Sequence, residues 1–131
     1  MHSCALRQYW DTMEIDIIGS LRNIDPITVF FEKSTDKAYK YTIIYLSDRG
    51  KVSFINFEKP NALDCRKSYA KCRHFMINNS CHQDWTISGL HTAGFWSMHL
   101  LHDYKHPTFD SAIKNIKENF NIHVIKLFPD N

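Results

Sequence analysis

A chain of 131 residues with 44% hydrophobic and 14% aromatic side chains has the size of one domain and is too apolar for a disordered segment. Its formal charge of +2 neither demands a nucleic-acid partner nor permits an acidic, DNA-mimicking surface. Four Gly and four Pro leave little room for a flexible linker, and no apolar run approaches the roughly 18 residues of a membrane span.

In chain order, residues 1–12 show no clear period and are expected to be poorly ordered. They lack the apolar core of a signal peptide, which points to the cytoplasm and to cysteines kept mostly as thiols. Residues 14–18 alternate charged and apolar side chains, as a short strand or a helix turn does. After the turn pair Asp25-Pro26, residues 27–31 are β-branched and aromatic and predict a strand. Residues 39–46 and 52–57 predict a hairpin closed through Ser47-Asp48-Arg49-Gly50-Lys51, with Val52, Phe54 and Asn56 on one face and Ser53, Ile55 and Phe57 on the other.

Asn61 suits the cap of a helix over 62–72. A strand over 73–77, a turn at Asn78-Asn79-Ser80 and a returning strand over 85–88 follow. Thr92 caps a second helix reaching about Tyr104, apolar nearly all round and therefore buried. His106-Pro107 stops it. Thr108 caps a third helix, on which Phe109, Ala112, Ile113, Ile116 and Phe120 fall on one stripe. Asn121 suits the left-handed position after it, and 122–128 closes the chain as a strand. The expectation is a single α+β domain over 1–131: a mostly antiparallel sheet of four to six strands with two or three helices on one face.

Nine of the twelve Cys and His residues fall between Cys65 and His106, so that segment is where chemistry would lie. Cys72, His74, Cys81 and His82 are the residues that would hold zinc, if any do. The usual two-to-four-residue knuckle spacing is missing, and adjacent Cys81 and His82 would diverge on a strand, so neither metal nor cofactor is expected. His99, His102 and His106 share a helix face but lack the Glu of a zinc-protease helix. A thiol nucleophile would be Cys65, Cys72 or Cys81, paired with His74 or His91 and oriented by Asp84 or Asp103. Lys59, Arg66, Lys67, Lys71 and Arg73 against the single acid Asp64 make a basic stretch, with Tyr69 able to stack on a base. Gly89 and Gly94 precede the buried helix and are read as sites of close packing.

The stretches Trp85-Thr86-Ile87-Ser88-Gly89 and His91-Thr92-Ala93-Gly94-Phe95-Trp96-Ser97, with Pro107-Thr108-Phe109 and the last helix, resemble small early proteins of T-even-type phages. The abundance of Lys, Asn, Ile, Phe and Tyr, residues with AT-rich codons, points the same way. The resemblance implies a host-takeover or anti-defence protein that inhibits or modulates a host protein, and it carries over no functional residue.

The leading expectation is a small non-catalytic interaction protein binding a host protein through Arg66, Lys67, Tyr69, Lys71, Arg73, Trp85 and His91. One alternative is nucleic-acid binding through a basic helix over 62–73. The other is a Cys/His zinc protein or thiol-dependent enzyme.

Overall fold

A computed structural model describes residues 26–46, 50–62, 65–66 and 68–129. Expectations for residues 1–25, for Ser47-Asp48-Arg49 of the hairpin turn, and for Asp64 and Lys67 lie outside that set. Among the described residues four strands form one sheet: β1 (Ile27–Lys33), β2 (Tyr41–Leu46), β3 (Val52–Phe57) and β4 (Ile122–Lys126), in the order β3-β2-β1-β4. β1 pairs antiparallel with β2, and β2 with β3, while β4 lies parallel beside β1. Among the described residues three helices precede β4: α1 (Tyr69–Asn79), α2 (Ala93–Leu101) and α3 (Phe109–Phe120). The expected α+β architecture is what forms, with one parallel pair in an otherwise antiparallel sheet.

The two-residue alternation of the strands sorts the sheet into unlike faces. Register sets Val29, Phe31, Ile43, Ile55, Phe57, Ile122 and Val124 on the inner face. There they meet Phe95, Trp96, Leu100 and Leu101 of α2 and Ala112, Ile116 and Phe120 of α3. Burying each large side chain stabilises by about 1.5–3 kcal/mol, so this shared layer outweighs any local propensity in fixing how the helices lie. Trp96 is fully buried and its indole N–H donates to the Leu90 carbonyl at 2.8 Å. Phe31 gathers the rings of Tyr41, Phe57, Phe109 and Phe128 around it.

α3 begins and ends where its sequence signals fall. Thr108 and Ser111 make a reciprocal capping box, and Asn121 closes the helix at φ 56°. α1 departs from expectation. The helix begins at Tyr69, because Ser68 rather than Asn61 caps it by accepting from the Lys71 amide, and it continues through 73–77, where a strand was expected. The expected strand over 85–88 is instead an extended approach to a single 3-10 turn, Ile87–Gly89. α2 is buried as expected but stops at Leu101, with His102 leaving helical geometry at φ −126° and ψ 15°.

Candidate functional site: a dithiol backed by His102 and Glu58

Three chain turns meet beside the core. Glu58 follows the last residue of β3, Cys65 lies in the turn before α1, and His102 caps the C-terminus of α2. Cys72 enters from the first turn of α1. Cys65 Sγ lies 2.8 Å from Cys72 Sγ and 2.9 Å from His102 Nδ1. The other imidazole nitrogen, Nε2, lies 2.8 Å from Glu58 Oε2. The result is a continuous path from one thiol through a second thiol and an imidazole to a carboxylate.

Each member is held from outside the path. The Cys72 thiol also reaches the Cys65 carbonyl at 2.8 Å, and that carbonyl accepts the Ser68 amide. Phe75, one helical turn beyond Cys72, lies flat on the His102 ring. Glu58 adopts φ 66°, a left-handed conformation that a residue with a Cβ seldom takes and that clusters at functional sites. Its carbonyl accepts the Lys40 amide at 2.7 Å, which fixes the bend that aims its carboxylate at His102. Cys65, Cys72 and His102 are each at most 5% exposed.

With Glu58 accepting from Nε2–H, Nδ1 is the free acceptor facing Cys65. A thiolate, not a thiol, is the nucleophile, and an imidazole at this distance can take its proton. A zinc ion with bonds near 2.3 Å would hold two sulfurs roughly 3.8 Å apart in a tetrahedron, wider than the spacing found here. Among the described residues no group of three or more His, Cys, Asp or Glu is arranged to hold a metal ion.

The residues expected to act are dispersed. His74, Cys81 and His82 are exposed and do not join Cys72. Cys65 and Cys72 are thiols outside any disulfide, whereas Cys81 is disulfide-bonded, against the expectation that the cysteines stay mostly as thiols. His91 packs on the Tyr45 ring instead of approaching a cysteine. Asp84 is engaged by Thr86 and Ser88; burial works to raise its pKa, but these hydrogen bonds prevail and hold it below the usual 3.8. Asp103 lies 4.0 Å from His106.

In the basic stretch, the Arg66 guanidinium sits 4.2 Å from the centre of the Phe109 ring, and Tyr69 edges onto Tyr104. Lys71 and Arg73 are exposed on α1. Trp85 is no surface anchor: it is 5% exposed, stacks on Phe75 and donates to Gln83. The residues that sequence reasoning missed are Glu58 and the pairing of His102 with Cys65. The one signal for His102 was its place at the end of an apolar helix, where side chains leave the helical ladder and are free to face a neighbour.

The chain matches no protein-family model, no curated protein and no solved structure. Among the described residues no helix is long and apolar enough to cross a membrane.

Proposed function

We propose that this protein is a thiol–disulfide redox protein, with Cys65 and Cys72 as its exchanging pair. The observation that carries the reading is the contact of two thiols at 2.8 Å with an imidazole–carboxylate pair directly behind one of them. The reaction is Cys65–SH plus Cys72–SH plus a disulfide R–S–S–R giving a Cys65–Cys72 disulfide and two R–SH. One S–S bond breaks, one forms, and the two electrons and two protons pass to the leaving thiols. His102 Nδ1 takes the Cys65 proton as that sulfur attacks. Glu58 holds the ring in the required tautomer and balances the charge that develops.

A thiol hydrolase built on the same groups fits less well. Its acyl carbon would have to approach Cys65 where the Cys72 sulfur already sits, and donors preorganised for an oxyanion would be needed beside it. A second sulfur in that position is instead what an exchange reaction uses.

The test is equilibration of the folded protein across ratios of reduced to oxidised dithiothreitol, followed by acid quenching, alkylation and peptide mapping. A Cys65–Cys72 disulfide appearing reversibly with a single midpoint is expected. Both thiols remaining free across the series while the fold persists would overturn the reading.

A protein-interaction role is a second reading, favoured by the outer face of the sheet. Ile125, Phe30, Ile44 and Phe54 stand in one register row across all four strands, with Phe54 66% exposed. Exposed apolar rows of this kind mark contact surfaces. Phe54→Glu is expected to abolish capture of a protein partner, and unchanged capture would remove this face from consideration.

A further inference from the structure

A cavity of about 770 Å³ opens beside the thiol pair, between α1, the end of α2 and the outer side of α3. Cys72 lines it and Cys65 does not. Met76 and Met98 give it an apolar floor, Tyr69 forms an aromatic wall, and Arg73 and Lys105 bring two cations to its rim. The acid of the same wall, Asp103, faces His106 at 4.0 Å and accepts the Lys105 amide through its other oxygen. The volume lies within the range of roughly 300–1,000 Å³ that small-molecule sites occupy.

Resting on the dithiol reading above, we infer that the cavity receives a low-molecular-weight thiol or disulfide bearing carboxylates, and that Cys72 is the sulfur that meets it. An anionic substrate seats its carboxylates near Arg73 and Lys105 and lays its carbon chain over Met76 and Met98, which brings its sulfur to the Cys72 wall. Toward oxidised protein, Cys72 attacks the substrate disulfide, and one substrate thiol departs with a proton. The Cys72–substrate mixed disulfide is then attacked by Cys65 as His102 Nδ1 removes its proton. The second substrate thiol leaves, taking that proton, and the Cys65–Cys72 disulfide remains.

In the reverse direction the same geometry makes Cys65 the leaving group. A substrate thiol loses its proton to solvent and attacks Cys72, and Cys65 departs as a thiolate that takes a proton from His102 Nδ1 once the ring has gained one from solvent. Exchange is faster when the leaving thiol is stabilised, so placing His102 behind Cys65 and the cavity before Cys72 gives each sulfur one task. Cys72 is the catalytic residue facing substrate, and Arg73 and Lys105 determine specificity.

Glutathione disulfide is a suitable anionic probe and hydroxyethyl disulfide a neutral one. In the Cys65→Ser protein, glutathione disulfide is expected to leave one glutathionyl group on Cys72. In the Cys72→Ser protein Cys65 is expected to stay unmodified. The double variant Arg73→Glu/Lys105→Glu leaves both thiols in place and is expected to slow oxidation by glutathione disulfide at least about tenfold while hydroxyethyl disulfide reacts at the parent rate. Glutathionylation of Cys65 in preference to Cys72, or equal slowing of both probes, would overturn the inference. Failure of the dithiothreitol titration would instead defeat the dithiol reading itself, so the two failures are distinct.

Discussion

The ring of Phe75 lies parallel to the imidazole of His102, with centroids 3.9 Å apart and planes 9° from coplanar. A flat neighbour on one face confines rotation of the imidazole, so both nitrogens stay aimed, Nδ1 at Cys65 and Nε2 at Glu58. Phe75 is itself stacked on Trp85, which anchors the platform to the buried segment before α2.

Replacing that platform separates orientation from chemistry. Phe75→Leu keeps an apolar filler but loses the flat face, and Phe75→Ala loses both. Because Phe75 is only half-buried, Phe75→Ala is expected to cost about 2 kcal/mol, less than the roughly 3–5 kcal/mol of a fully enclosed ring. Both variants are expected to slow closure of the Cys65–Cys72 disulfide by hydroxyethyl disulfide, with Phe75→Leu losing rate at nearly unchanged stability. A parent rate in Phe75→Leu would show that the ring does not hold His102.

Glu58→Gln tests the far end of the same path. Glutamine can still accept from Nε2–H but brings no charge to match the imidazolium formed when Cys65 ionises. Charge-assisted bonds are about twice as strong as neutral ones, so the loss is on the order of 1.5 kcal/mol, or roughly tenfold in the rate of Cys65–Cys72 disulfide closure at neutral pH. Glu58→Gly relieves the φ of 66° yet removes the carboxylate, so it is expected to stay folded and react as slowly as Glu58→Gln. A fast-reacting Glu58→Gly would mean the carboxylate has no part in activating the thiol.

These contacts also explain which parts of the molecule were legible in the sequence. The hairpin and α3 follow from patterns local to themselves: two-residue alternation in 52–57, and Thr108 with the stripe from Phe109 to Phe120. α1 was misplaced because its inward positions, Cys72, Phe75 and Met76, sit among Lys71, Arg73 and His74 and blur the helical stripe. Asn61 offered a plausible cap seven residues before the one used, Ser68. Cys65 and Cys72 stood out as candidate thiols, but which imidazole and carboxylate meet them left no local trace. Cys65 and His102 are 37 residues apart in sequence, and Glu58 and His102 are 44 apart. Their meeting depends on how α2 packs on β3, which no single stretch of sequence encodes.

His99 predicts the response to acid. Its ring packs between Phe95 and Phe120 and its Nε2–H donates to the Trp85 carbonyl at 2.8 Å. Burial pushes its pKa below the usual 6.5; the Trp85 carbonyl and Asp103 oppose the shift, and His106 adds to it. The unfolded chain therefore binds a proton near pH 6.5 that the folded protein still refuses. Stability from this group is complete above 6.5 and is lost as pH falls below it, toward the lower folded value, with a slope of at most one proton. Tm measured from pH 7.5 to about 5.5 is expected to fall more steeply for the parent than for His99→Gln. Identical slopes would show that His99 gains its proton at the same pH in the folded and unfolded chain.

Two glycines predict opposite kinds of damage from the same substitution. Gly50, in the β2–β3 connection, has φ 77° and open space where a Cβ would stand, so Gly50→Ala carries only backbone strain of about 1–2 kcal/mol. Gly89 has no positive φ, but a Cβ there would overlap the carbonyl oxygen of Asp84. That carbonyl cannot retreat freely, because the Asp84 side chain is fastened to the Thr86 amide and to the Thr86 and Ser88 hydroxyls. Relief would require moving the 3-10 turn away from Leu90 and Trp96, whose indole N–H reaches the Leu90 carbonyl. Gly89→Ala is therefore expected to cost about 3 kcal/mol or more. Urea unfolding of the two variants measures the difference, and a milder loss in Gly89→Ala than in Gly50→Ala would show that the Asp84–Gly89 contact is looser than its geometry implies.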